Sequence, residues 1–266
     1  YDMIFQMNAG TLILLLVIST GCNFESDKTK PSIPKSVSSQ TKKDYQICTM
    51  MPDVTVSPLL DTSRPMGGIR QHFWPVRKKV LVVQFLDGDS LLQKKVEGYA
   101  REWELYCGMR FEFSKQDKAD ITITFLTSGC WSLIGTQSLK RTPSMGLGWV
   151  KASCPDNEIR RVVLHEFGHA LGLIHEHQNP KNNPFQWNKK EVYQYYAENF
   201  QWTSEKVEKN ILECYSENQL MAGQYDSNSI MLYAFPAEFT ENGYSTKWNS
   251  ELSEGDKSFI QSIYPN

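Results

Sequence analysis

Five residues between positions 165 and 175 have the types and the spacing of a hydrolytic metal centre. His165 and His169 stand four apart, so on an α-helix their imidazoles lie one turn above each other on one face and aim at a common point. Zinc takes imidazole nitrogens at about 2.0 to 2.1 Å, and a site that does chemistry keeps a further position open for water. Glu166 adjoins the first His, where its carboxylate can take a proton from that water. Gly172 ends the helix, because a residue without a Cβ can enter the left-handed conformation and turn the chain sharply. His175 then swings back as the third nitrogen. Read whole, His165-Glu166-Phe-Gly-His169-Ala-Leu-Gly172-Leu-Ile-His175 fixes five positions. A chance match in a chain this long is on the order of one in ten thousand or rarer. His177 has no place in that spacing and is read as lying behind the ligands or at the surface.

Two further residues downstream suit the same chemistry. Tyr225-Asp-Ser-Asn-Ser229 is a turn-rich lead-in to Met231, an unbranched apolar side chain able to form a floor under the imidazoles. Tyr233 carries a phenol that can donate to a developing oxyanion, a contribution of several kcal/mol when preorganised. An ordinary core Met and a buried structural Tyr are the alternatives at these positions. Three His alone would also suit a zinc-bearing surface protein that binds without turnover, but such a protein needs neither Glu166, nor Tyr233, nor an open coordination position.

The zinc motif together with Ser229-Ile230-Met231-Leu232-Tyr233 resembles the pattern of the metzincin zinc peptidases, over roughly residues 75 to 265. Glu176 directly after the third His, and Tyr233 two residues after Met231, are similar to the astacin branch. Leu232, where that branch usually has His, is closer to bacterial matrixin-like and astacin-like secreted peptidases. The resemblance implies an endopeptidase in which Zn2+ is held by His165, His169 and His175, Glu166 is the general base, and Tyr233 contacts the metal and the oxyanion. It implies that Glu176 shapes a pocket and engages the processed N-terminus, and that an extended peptide pairs with a strand edge above the cleft, for which 120–125 is the candidate.

The elements that must position these groups are legible in outline. Lys79 to Phe85 is a β-branched run closed by Asp87-Gly88-Asp89 and predicts a strand. Leu92, Val96, Tyr99, Ala100 and Trp103 recur at helical spacing. Met109 to Phe113 and Asp120 to Phe125 predict two more strands, the second alternating Ile121, Ile123 against Thr122, Thr124. Met145 to Val150 adds a short one. Ile159, Val162, Val163, Phe167, Ala170 and Leu171 give the metal-bearing helix its buried stripe. Beyond it, helices are expected around Val192 to Phe200, Thr203 to Leu212, and after Ser253, whose spacing to Asp256 is that of a capping box. The fold class is α+β, metzincin-like: a mixed twisted sheet with the active-site helix in the N-terminal half, and a mainly helical or irregular C-terminal half. Trp131, in the Gly- and Ser-rich segment ahead of that helix, is expected beside the cleft.

The N-terminal residues address export rather than chemistry. Leu12 to Ile18 is an apolar run too short to span a bilayer, followed by Ser19-Thr20-Gly21-Cys22. That layout predicts a signal sequence over 1–22, with a lipobox that makes Cys22 an acylation site and a membrane tether; a plain cleaved signal with an incidental Cys is the other reading. Residues 23–70 read as a flexible tether or short pro-segment, and 71–266 as the catalytic domain. The chain is thus expected secreted or lipid-anchored at the bacterial cell envelope. The six cysteines include no CxxC pair, which leaves a Cys-ligated zinc site without support; Cys130 and Cys154 are the expected disulfide, and Cys48 is a candidate latency thiolate, with a disulfide or a free thiol as the other readings. Twenty-eight basic against thirty acidic residues give a net charge of −2, with no basic footprint for nucleic acid. The expected partners are protein or peptide substrates, met by a monomer.

Overall fold

The computed structural model describes residues 68–115, 118–216 and 220–266. The leader, Cys22, the tether up to residue 67 and Cys48 lie outside the described residues.

Strand β1 (Gly68–Ile69) is followed by β2 (Val80–Phe85), helix α1 (Ser90–Ala100), β3 (Arg110–Phe113), β4 (Ile121–Thr124), β5 (Cys130–Ser132) and β6 (Met145–Leu147). Five of these form one sheet in the order β3-β2-β4-β6-β5, with all neighbours parallel except the antiparallel pair β5 and β6. A β-branched run such as VLVVQF suits the interior of a sheet covered on its faces. Helix α1 starts where Asp89 accepts from the Leu92 amide at 2.9 Å, as an N-cap carboxylate does.

Two sequence expectations fail here, each for a stated reason. Strand β4 is not an edge, since β2 and β6 flank it on both sides. Its alternating threonines are buried, because their hydroxyls are satisfied inside: Thr122 Oγ1 accepts from the Ser144 amide at 3.0 Å and Thr124 Oγ1 donates to Asp87. Among the described strands of this sheet, the edges are β3 and β5. The expected Cys130–Cys154 disulfide does not form either; Cys107, Cys130, Cys154 and Cys214 are all free thiols. Cys130 points into the main core, whereas Cys154 Sγ accepts from the Lys151 amide in its own turn.

Helix α2 (Asp156–Ala170) packs against α1 and the sheet within the main core, among Leu81, Val83, Val96, Trp103, Ile121, Ile123 and Met145. Two buried indoles pin it: Trp103 Nε1 donates to the Leu164 carbonyl at 3.0 Å and Trp74 Nε1 to the Ala170 carbonyl at 2.8 Å. Tyr264 donates from its hydroxyl to the Leu171 carbonyl at 2.7 Å. At the helix C-terminus, the Ala170 and Leu171 carbonyls are thereby satisfied from elsewhere in the fold. Gly172 sits at φ +108°, and a Cβ there would come within 2.5 Å of the Phe73 ring, so only glycine turns the chain at this point.

The C-terminal half carries helices α3 (Lys189–Phe200), α4 (Ser204–Val207) and α5 (Glu254–Ile263), and the short strand β7 (Leu220–Met221) that pairs with β1. The helix expected over Thr203 to Leu212 is split, with α4 running into a π-turn at Glu208–Leu212. A second core, built on Val192, Tyr196, Val207, Ile211, Phe235 and Phe239, includes Tyr233 and so connects this half to the metal-site residues. The capping box of α5 is present: Ser253 Oγ accepts from the Asp256 amide and Asp256 accepts from the Ser253 amide, both at 2.9 Å.

Candidate active site

Helix α2 brings His165 and His169 to one face, and the Gly172 turn returns His175 to them. The three side chains are buried and can each offer a ligand atom within 4.8 Å of the others. His165 Nδ1 donates to the Ile230 carbonyl at 2.8 Å and His169 Nδ1 donates to the Leu173 carbonyl at 2.9 Å. A carbonyl oxygen can only accept, so the proton is on Nδ1 and each Nε2 presents a lone pair inward. His169 Nε2 and His175 Nε2 are 3.1 Å apart. Two nitrogens on one tetrahedral zinc at about 2.0 to 2.1 Å each lie about 3.3 Å from each other. His165 Nε2 is buried with no protein partner. The donor set, the tautomers and that orphaned nitrogen all fit zinc.

Burial drives the electrostatics. It holds His165 and His175 well below the usual imidazole range, with neighbouring His charges adding to the effect, and lowers His169 to about 4 and His177 to about 3. The ligands are therefore neutral and ready to bind at neutral pH. Burial pushes the Glu176 carboxyl the other way, up to about 8, against the hydrogen bonds from the Asp226 amide at 2.9 Å and Asn179 Nδ2 at 3.0 Å. These shifts set the pH response of the metal-free protein. The unfolded chain holds more protons on the four His below their ordinary value of 6.5, so their contribution to stability is lost as pH falls from there. The folded chain holds more protons on Glu176 between 4.5 and about 8, so stability declines as pH rises through that window. Below 6.5, four imidazoles outweigh the two carboxyls that burial raises, Glu176 and Asp256. Denaturant midpoints of the chelated protein should peak between pH 6 and 7 and fall more steeply on the acid side; a midpoint that rises from pH 6.5 to 5 would contradict these assignments.

Met231, expected as a floor under the imidazoles, lies against the metal-bearing helix. It is buried, and its Sδ presses on helix α2 at Gly168, where a Cβ would be only 2.4 Å away. Its carbonyl accepts from the Glu176 amide at 3.0 Å, beside the third ligand. Gly168→Ala should therefore destabilise despite the gain of about 1 kcal/mol in helix propensity, since overpacking costs about 1 to 3 kcal/mol. A lower thermal midpoint checks this, and a higher one would refute the close approach.

Tyr233 lies against the ligands, its ring 4.3 Å from that of His175 and 5.7 Å from that of His165. His177 is buried behind them, not exposed: its ring stacks on His175 at 5.2 Å and its Nε2 donates to the Asn210 carbonyl at 3.0 Å. That carbonyl comes from the π-turn, which no local spacing signals. Glu166 is fully buried and lines a small cavity together with His165, Tyr233, Cys130, Trp149, Arg161 and Trp248. The indoles lining this cavity are Trp149 and Trp248; Trp131 donates to Thr127 Oγ1 at 3.2 Å and is not part of this lining. Glu176 lines a separate cavity of about 470 Å³ with Asp226, Asp256, Tyr225 and Met231. Sequence reasoning missed Gly168, Arg161 and Asp256. A stricter count of helical spacing would have placed Arg161 one turn before His165; the other two depend on tertiary contacts.

Comparison with known proteins agrees with this geometry. Residues 70–259 match the profile of the astacin peptidase family. The chain is 26% identical over 185 residues to zinc metalloproteinase nas-30 of Caenorhabditis elegans, covering 69% of this chain and 22% of that protein; it thus spans about a fifth of that relative's length. The solved structure of myroilysin superposes with a TM-score of 0.72 at 38% identity, over 75% of this chain and 98% of that one. High choriolytic enzyme 1, a hatching enzyme zinc-protease of the medaka Oryzias latipes, shares the fold at a TM-score of 0.50 and 19% identity, over 77% of this chain and 98% of that one. With the family profile covering most of the chain, the chain belongs to the astacin family of peptidases.

Proposed function

We propose that the protein is a zinc-dependent endopeptidase that hydrolyses peptide bonds in extended protein or peptide segments outside the cytoplasm. The observation that carries this reading is the position of Glu166: a carboxylate that is not one of the three ligands, buried next to His165 and lining the same cavity as Tyr233. A zinc site used only for binding has no need of it. His165, His169 and His175 would hold the metal through Nε2, and zinc supplies there a Lewis acid that polarises a carbonyl and makes a bound water more acidic. Glu166 takes a proton from the attacking water and hands it to the leaving amine. Tyr233 donates its phenolic proton toward the oxygen on which charge develops. Met231, through Gly168, and Ile230, through His165 Nδ1, fix the ligand orientations.

The substrate backbone is read as adding to strand β5, the antiparallel edge of the sheet, whose Cys130 reaches the cavity at Glu166. An extended peptide completes such an edge through main-chain hydrogen bonds. Glu176 and its acidic cavity are read as the receiver of a processed N-terminal ammonium, whose charge would draw the buried carboxyl into its ionised form. The apolar run ahead of Cys22 supports export, with Cys22 as lipid anchor. Mass spectrometry of the mature N-terminus separates an acylated Cys22 from a plain cleavage.

Hydrolysis of unfolded casein and of a quenched peptide library, with and without chelator, tests the activity. Cleavage lost in chelator and restored by zinc is expected. Cleavage that persists without metal would sink the proposal.

A further inference from the structure

Two of the three metal-site imidazoles have a backbone carbonyl on the outer nitrogen, Ile230 for His165 Nδ1 and Leu173 for His169 Nδ1. The third has none. His175 is buried, and its Nδ1 is without an aligned hydrogen-bond partner among the described residues. Its ring packs against those of Tyr233 and His177, with centroids at 4.3 and 5.2 Å. Such contacts fix the plane of an imidazole, but a half-turn about the Cβ–Cγ bond exchanges nitrogen for carbon within that same plane. A hydrogen bond at Nδ1 is what chooses between the two.

Gln178 is placed to supply it. It is 1% exposed and ends the 3₁₀ turn that His175 begins, its amide donating to the His175 carbonyl at 3.1 Å. Its side-chain Nε2 donates to two carbonyls at the π-turn, Lys209 at 2.8 Å and Glu213 at 3.1 Å. A carbonyl only accepts, so the NH2 end is committed there and Oε1 is the end left over. That oxygen is buried and also lacks an aligned partner among the described residues. Burial and the neighbouring His charges depress His175 while hydrogen bonding to the Gln178 side chain opposes them, so the two groups are within reach of each other though not aligned. A buried donor and a buried acceptor are each costly when unpaired, and pairing them removes both costs.

We infer that Gln178 is the positioning residue of the third zinc ligand: its Oε1 accepts the Nδ1 proton of His175 and so turns His175 Nε2 toward the metal. This rests on the zinc site of the peptidase proposed above and does not depend on cleavage. A neutral imidazole carries one proton. With Nε2 given to the metal, that proton sits on Nδ1 and meets Oε1. Through Nε2 of Gln178 the tie runs on to Lys209 and Glu213, so the π-turn anchors the third ligand as the Ile230 carbonyl anchors the first. The two ends of one amide have separate tasks, which substitutions can separate. Gln178→Met keeps the length of the side chain and removes both ends. Gln178→Glu keeps an acceptor for His175 and removes the donors at the π-turn.

The test is long-range proton–nitrogen NMR of the zinc-loaded protein, which reads the ring N–H signals of the ligands, together with zinc affinity from competition with a chromophoric chelator. Wild type should show a downfield, hydrogen-bonded Nδ1–H signal for each of the three ligands. In Gln178→Met the His175 signal should move upfield or broaden away while those of His165 and His169 stay, and zinc affinity should fall about 10- to 100-fold. Gln178→Glu should keep the His175 signal and lose less affinity than the lower end of that range, while its unfolding midpoint falls. Should Gln178→Met not fold, the wild-type spectrum and the Glu variant still decide. A wild type that binds zinc with no hydrogen-bonded Nδ1–H on His175, or a Met variant with both readouts unchanged, overturns the inference alone. So does an equal loss of affinity in the two variants, which would make Gln178 a support of the π-turn only. Wild type that binds no zinc overturns the metal site, and this inference with it.

Discussion

Glu166→Gln should leave one zinc per chain and lower kcat by about a thousandfold, within the 10²- to 10⁴-fold range of a positioned general base. The side chain keeps its size and its place between the core and the cavity, where Glu166 is fully buried, so folding has little reason to change. The three imidazoles are held by other partners: the Ile230 and Leu173 carbonyls orient His165 and His169 without help from residue 166. What the amide lacks is the ability to accept a proton from the attacking water. The loss should therefore fall on kcat with KM little altered, since no part of the substrate is held by this group before reaction. Metal content by mass spectrometry and kcat on one quenched peptide decide the matter. A Gln variant that still turns over at a tenth of the wild-type rate would transfer the base role elsewhere, whereas a variant that loses zinc would make Glu166 a structural support of the site.

The parts of this site that were legible in sequence are those set by local geometry. Ligands on one helical turn, a glycine that must take a positive φ and a capping box are each specified by residues a few positions apart, and each is present in the fold. Strand β4 shows the limit. Thr122 and Thr124 alternate with isoleucines as they would at an exposed edge, yet Ser144 and Asp87 reach in from distant segments and satisfy them, so the strand sits in the middle of the sheet. The Cys130–Cys154 pairing failed because nearness in sequence says nothing about direction, and Cys130 faces the core. Arg161 was hidden by its type: an arginine on a helix is read as solvated unless a partner such as Trp248, far along the chain, is known to cover it. Asp256 was read only as half of a cap.

Its other half is the reason that Asp256→Ala should cost about 3 to 5 kcal/mol, the penalty of stripping a buried acceptor from several donors at once. Asp256 accepts from Ser229 Oγ at 2.7 Å, from the Ile230 amide at 2.8 Å and from the Ser253 amide at 2.9 Å. Ser229 Oγ in turn accepts from the Met231 amide at 3.0 Å, and the Ile230 carbonyl accepts from His165 Nδ1 at 2.8 Å. One carboxylate thus ties the start of α5 to the turn that carries Met231 and, through that turn, to the first zinc ligand. Burial raises its pKa while these donors pull it down, the balance favouring the raised value; the ion is tolerated because it is the shared acceptor. Losing the cap alone would cost about 1 kcal/mol. A loss of that size in equilibrium unfolding, with zinc release by a competing chelator no faster than wild type, would confine Asp256 to the helix end. A loss several times larger, accompanied by faster zinc release and partly restored in both respects by Asp256→Asn, would establish that the last helix of the domain holds the geometry of its metal site.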